Sequence, residues 1–84
     1  MTNSVAGKIT HFFPKIMVAV LEATQEPIKV GDVIRIGDEG NGFTQTVESL
    51  QVDHLPIAQL EIGKEAGLKV NQETHSGELV YLVG

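Results

Sequence analysis

The sequence predicts an all-β protein, a small six- to seven-stranded antiparallel closed β-barrel, on three observations. Val, Ile and Thr make up 23 of its 84 residues, and branched side chains favour the extended backbone. They fall in short runs separated by glycine, proline and acidic turns, the pattern of consecutive strands. No window carries an apolar stripe of helical period over roughly 12 residues. Closure follows from size, since a small apolar chain tolerates free sheet edges poorly.

The first strand runs from Ala6 to Phe13 and stops at Pro14, which has no N–H to continue a ladder. Residues 1–4 lie ahead of it and are expected to be flexible. The second strand runs from Ile16 to Ala23, with Ile16, Val18 and Val20 on one face and Met17, Ala19 and Leu21 on the other. Apolar residues on both faces imply a strand covered twice, or one that meets a partner surface. Thr24 to Lys29 reads as a loop around Pro27, and Val30-Gly31-Asp32 turns into the strand Val33-Ile34-Arg35-Ile36.

Gly37 to Gly42 reads as a hairpin connection, because Asn41-Gly42 supplies the positive φ of such turns. Phe43 to His54 is the longest strand. Its alternation slips by one residue near Ser49, with Leu50 and Val52 out of phase with Phe43 and Val47, which predicts a β-bulge. Leu55 to Glu61 fits one helical turn ended by Gly63. Ala66 to Val70 and Leu79 to Val83 complete the strands. Gly31-Asp32, Gly63-Lys64 and Gly77-Glu78 repeat one kind of glycine corner before a strand.

A single domain over residues 1–84 is all this length supports. Such a chain hides about 60% of its unfolded surface, and without cysteine it has neither disulfides nor a thiolate metal site. Its net charge of −5 opposes general polyanion binding. No run approaches the roughly 20 apolar residues of a membrane span. The amino terminus lacks the basic and apolar regions of a signal peptide, which makes the cytoplasm the expected compartment. Met1 and an end at Gly84, just after the last strand, read as a complete short gene.

Five motifs in order resemble the second, β-barrel domain of the translation GTPases. They are Val18 to Glu22, Ile28 to Ile36 with its Gly-Asp turn, Thr46 to Leu50, Gly63 to Leu68 and Ser76 to Val80. Gly7 to Ile16 and Phe43 to His54 resemble more closely small stand-alone elongation-factor-like proteins and the C-terminal barrel of collagenase-like peptidases. The first resemblance implies a binding module associated with RNA or the translation machinery. The second implies an accessory module that docks to an enzyme or regulates it. No Gly-x-x-x-x-Gly-Lys-Ser/Thr loop is present, so GTP binding is not expected.

The best candidate binding surface is Lys8, His11, Phe12, Phe13, Lys15 and Arg35. Phe12 and Phe13 are adjacent in a strand, so one of them faces outward beside cations. His11, His54 and His75 lack metal-ligand spacing, and no cofactor is implied. Ser4, Ser49 and Ser76 have no partner base, and Glu61, Glu65, Glu73 and Glu78 read as a solvated face. No catalytic residue is assigned. The expectation is a binding module with a protein or RNA partner, and the oligomeric state is left open.

Overall fold

A computed structural model describes residues 3–37 and 42–83. The chain is all-β, with no helix among the described residues and none long and apolar enough to cross a membrane. Ten strands follow in order: β1 (Asn3–Phe13), β2 (Val18–Ala23), β3 (Ile28–Lys29), β4 (Val33–Ile36), β5 (Phe43–Thr46), β6 (Leu50–Val52), β7 (Leu55–Ile57), β8 (Gln59–Leu60), β9 (Glu65–Lys69) and β10 (Leu79–Val83). Eight of them make one antiparallel sheet in the order β5-β4-β10-β1-β2-β9-β6-β7, and β3 pairs with β8 as a separate ribbon.

The sheet is a half-barrel, which corrects the expected closed barrel of six or seven strands. Its two edges are β5 and β7, and they do not pair. The expected long strand 43–54 explains why. Its first part pairs with β4 and its second with β9, and residues 47–49 between them belong to no strand. The slip near Ser49 is therefore a break in the ladder and not a bulge. At the break Val47 donates its N–H to the Asp32 carbonyl and accepts from the Gly31 N–H, both at 2.8 Å, which keeps the backbone satisfied. The bulges sit instead in β1, as register shifts between Val5 and Gly7 and between Ile9 and His11.

A side chain spans the open seam. Gln45 on β5 is buried, donates to the Lys69 carbonyl at 2.9 Å and accepts from the Asn71 N–H at 2.8 Å. One amide thus does for β5 and the end of β9 what a ladder would otherwise do.

The three glycine corners are alike in three dimensions. The N–H groups of Asp32, Lys64 and Glu78 bond to the carbonyls of Lys29, Glu61 and His75, three residues back. In each turn the third residue is a glycine with φ of 101°, 87° or 94°, the left-handed conformation that a type II turn requires. The carboxylates of Asp32 and Glu78 close two of these turns again, accepting the N–H groups of Lys29 and His75.

The expected helical turn at Leu55 to Glu61 is instead β7 and β8. Asp53 and His54, expected within a strand, form the two-residue loop between Val52 and Leu55. Their φ values of 52° and 65° are those of a type I′ hairpin. The Thr24–Lys29 loop likewise contains β3, where Ile28 is fully buried. β1 begins before Ala6, with Asn3 and Ser4 opposite Val83 and Leu82. Met1 and Thr2, and residues 38–41 of the expected Gly37–Gly42 hairpin, lie outside the described residues.

The core is aliphatic. Ile9, Leu21, Ile28, Ile34, Ile36, Leu50, Leu60 and Leu68 are buried at its centre, with Phe12 and Phe43 packed on its margin.

Replacing Gln45 with alanine leaves the part-buried Lys69 carbonyl and Asn71 N–H without this partner, and the expected cost is about 1–3 kcal/mol of unfolding free energy. Urea denaturation checks this, and a loss below about 0.5 kcal/mol would show that the amide does not hold the seam. At the hairpin, His54→Gly relieves a non-glycine left-handed residue and is expected to raise stability by about 0.5 kcal/mol in the same assay.

Candidate functional site

Strand β2 is apolar on its inner face and, at Val18 and Val20 ahead of Glu22, on its outer face too, and the half-barrel packs only the inner one. Ala19, Leu21 and Ala23 point into the core and are fully buried, while Val18 and Val20 point outward and are half-buried. The outer face continues across neighbouring strands in two rows. In one, His11, Val20, Gly67 and Gln51 are successive cross-strand partners, and in the other Phe13, Val18 and Lys69. The β1–β2 turn adds Ile16, which is 59% exposed, beside Phe13 at 44%.

These residues line a groove of about 420 Å³ formed by Phe13, Ile16, Val18, Val20, Gln51, Asp53, His54 and Gly67. A narrower extension of about 100 Å³ shares Val18, Gln51 and Gly67 and ends at Ser49 and Lys69. The walls are mostly aliphatic and aromatic. Asp53 and His54 stand at one part of the rim and Lys69 at the far end of the extension.

Gly67 makes the floor. It lies within β9 at a non-positive φ, so the backbone does not require glycine there. A Cβ built at this position meets Val18 Cγ1 at 3.4 Å and the Gln51 carbonyl at 3.7 Å, ordinary contact distances. At Gly7, by contrast, a Cβ would collide with the Glu22 carbonyl. The absent side chain at Gly67 keeps the groove open and does nothing evident for folding. A glycine inside a strand often marks such a close approach.

The six expected binding residues divide. His11 and Phe13 come together, their rings 4.4 Å apart at 55°, and Lys15 is exposed in the turn that carries Ile16. Phe12 turns inward against the core, as the alternation of a strand allows only one of the pair to face out. Lys8 faces outward but pairs with Glu22, its cross-strand partner, at 3.9 Å. Arg35 is two strands away from β1 on β4, its guanidinium 5.0 Å from the Tyr81 ring centre. The basic residues thus form no single stripe. Val18, Val20, Gln51, Asp53, His54 and Gly67 were not among the expected site residues. The signals for them were the apolar outer face of residues 16–20 and the lone glycine within residues 66–70.

Among the described residues no group of His, Asp or Glu is arranged to hold a metal ion. Among the described residues no serine hydroxyl is hydrogen-bonded to a His, Asp or Glu side chain. Ser76 Oγ donates to the Thr10 carbonyl at 3.0 Å, a structural tie between the last glycine corner and β1.

No protein-family model matches the chain. Over 78 residues it is 31% identical to an uncharacterized protease of Methanocaldococcus jannaschii; the match covers 92% of this chain and 19% of that protein. In structure it is similar to the C-terminal domain of a Geobacillus thermoleovorans protein assigned to the U32 peptidases. The TM-score is 0.85 at 17% identity, covering 96% of this chain and 93% of that one. The selenomethionine variant of the same domain gives 0.81 at 19% identity, covering 92% and 96%. The fold is therefore shared with that domain. Of the two resemblances in the sequence, these neighbours carry the one to the peptidase barrel.

Gly67→Ala is expected to leave the fold intact and to raise stability by about 0.4–1 kcal/mol, by reducing the freedom of the unfolded chain. Thermal or urea unfolding checks this. A clear destabilisation would mean that the glycine serves the fold and not the groove.

Proposed function

We propose that this chain is a non-catalytic protein-interaction module, an accessory domain of the kind found at the C-terminus of U32 peptidases. The observation that carries the reading is the apolar part of the outer face of β2, Val18 and Val20, which the fold leaves half-exposed in a groove. Exposed Phe13 and Ile16 join half-buried Val18 and Val20 in one groove, and contiguous apolar surface of this kind is a mark of interaction sites. The fold likeness supports the same reading, because a domain with this architecture belongs to a protein assigned to the peptidases. The chain spans 19% of the protease relative's length, so the chemistry named for that relative has ample room elsewhere in it.

Association with RNA or the translation machinery rests on motif order alone and has less support. The net charge is −5, Lys8 is paired with Glu22, and Arg35 lies against Tyr81 away from the groove. A polyanion finds no continuous basic face.

The test is affinity capture from the native cells with the parent chain and with Phe13→Ala/Ile16→Ala, at low and high salt and with ribonuclease. A contact centred on apolar side chains survives salt and nuclease and is lost from the double variant. Recovery that disappears with nuclease, or turnover of a peptide substrate by the isolated chain, overturns the proposal.

A further inference from the structure

We propose that the trench over Gly67 receives an extended protein segment bearing an apolar side chain with a carboxylate beside it. This rests on the interaction-module reading and names its occupant. The missing side chain at Gly67 leaves a gap flanked by Val18, Val20 and Gln51, which suits one apolar side chain of an extended segment. A segment lying across the sheet toward the narrow extension reaches Lys69, whose cross-strand partner is Val18. Lys15 is exposed in the turn that carries Ile16. Lys69, like every other lysine but Lys8, makes no ion pair with a described residue.

The trench is thus polarised along its length. Asp53 and His54 stand at one part of its rim and Lys69 closes the other end, in a chain of net charge −5. Lys69 is the one lysine or arginine that lines it among the described residues, and the Asp53 carboxylate lies at the opposite end. Electrostatic complementarity of this kind chooses partners and orients them more than it adds affinity. It selects an apolar side chain followed by an acidic group, with the acidic group at the Lys69 end. The acidic group is a side chain or a chain-terminal carboxylate.

The probes are short glycine–serine peptides carrying leucine–aspartate pairs, the same peptides with leucine–lysine or serine–aspartate pairs, and an oligouridine. Amide chemical shifts of the chain are followed during titration. The leucine–aspartate peptide is expected to shift the amides of Val18, Val20, Gln51 and Gly67 in a saturable way, and the other probes much less. Lys15→Glu/Lys69→Glu is expected to weaken it roughly fivefold or more and to reverse the preference toward the lysine peptide. Gly67→Ala is expected to weaken it in a chain that still folds. Equal affinity for both charged peptides, shifts confined to another face, or binding of oligouridine alone overturns the assignment. Should no peptide bind while protein capture still depends on Phe13 and Ile16, the occupant is wrong and the interaction-module reading stands.

Discussion

The fold depends on one chain segment serving both sides of the half-barrel. Residues 43–52 leave β4 and join β9, so the sheet has to curl until its two sides are within reach of a single extended stretch. Ladder hydrogen bonds cannot bridge the seam, because residues 47–49 change neighbours there. The Gln45 amide bridges it, accepting one backbone N–H and satisfying one carbonyl at the end of β9. A buried polar group is costly unless both its donor and its acceptor are used. Here both are used, which lets a glutamine stand in a core made mostly of aliphatics, with Thr74 the other buried polar side chain among the described residues.

Curling has a second consequence. A half-barrel of this size has one interior, and Ala19, Leu21 and Ala23 fill β2's share of it. The opposite face of the same strand is then left to solvent or to a partner. Val18 and Val20 on that face are stiff, branched and half-buried, and Phe13 and Ile16 extend the apolar surface at the hairpin. Folding alone would favour polar residues there and a side chain at Gly67. Departures of this kind from what stability favours are where function concentrates.

Much of this was legible from residue order because it is local. The glycine corners at Gly31, Gly63 and Gly77 are set by a φ that only glycine adopts cheaply, and all three occur. The phase slip near Ser49 was also visible, but a ladder break and a bulge leave the same mark on alternation, and only the change of partner strand tells them apart. The Asp53-His54 hairpin was hidden because its left-handed residues are not glycine and the runs on either side read as one strand or as a helical turn. Gln45 was hidden for a different reason. Its partners are 24 and 26 residues away in sequence, and no local pattern marks a glutamine that will be buried. The groove was half legible, since the two apolar faces of residues 16–23 show in the alternation, but which strand lies beside them does not.

The distribution of charge then separates the two resemblances on physical grounds. A barrel that tracks a nucleic acid backbone needs cations at successive positions along one face, because each phosphate contact adds to a long-range term. On this sheet the outward row through Lys8 continues into Glu22 and then Glu65, so a cation is followed by two carboxylates. Arg35 is held against an aromatic ring two strands from β1. The one cation that lines the groove, Lys69, adjoins apolar walls that a solvated phosphate gains nothing by covering. An apolar side chain does gain by covering them, at about 25 cal/mol for each Å² removed from water. Covering the floor of this groove therefore favours a protein segment over a polyanion.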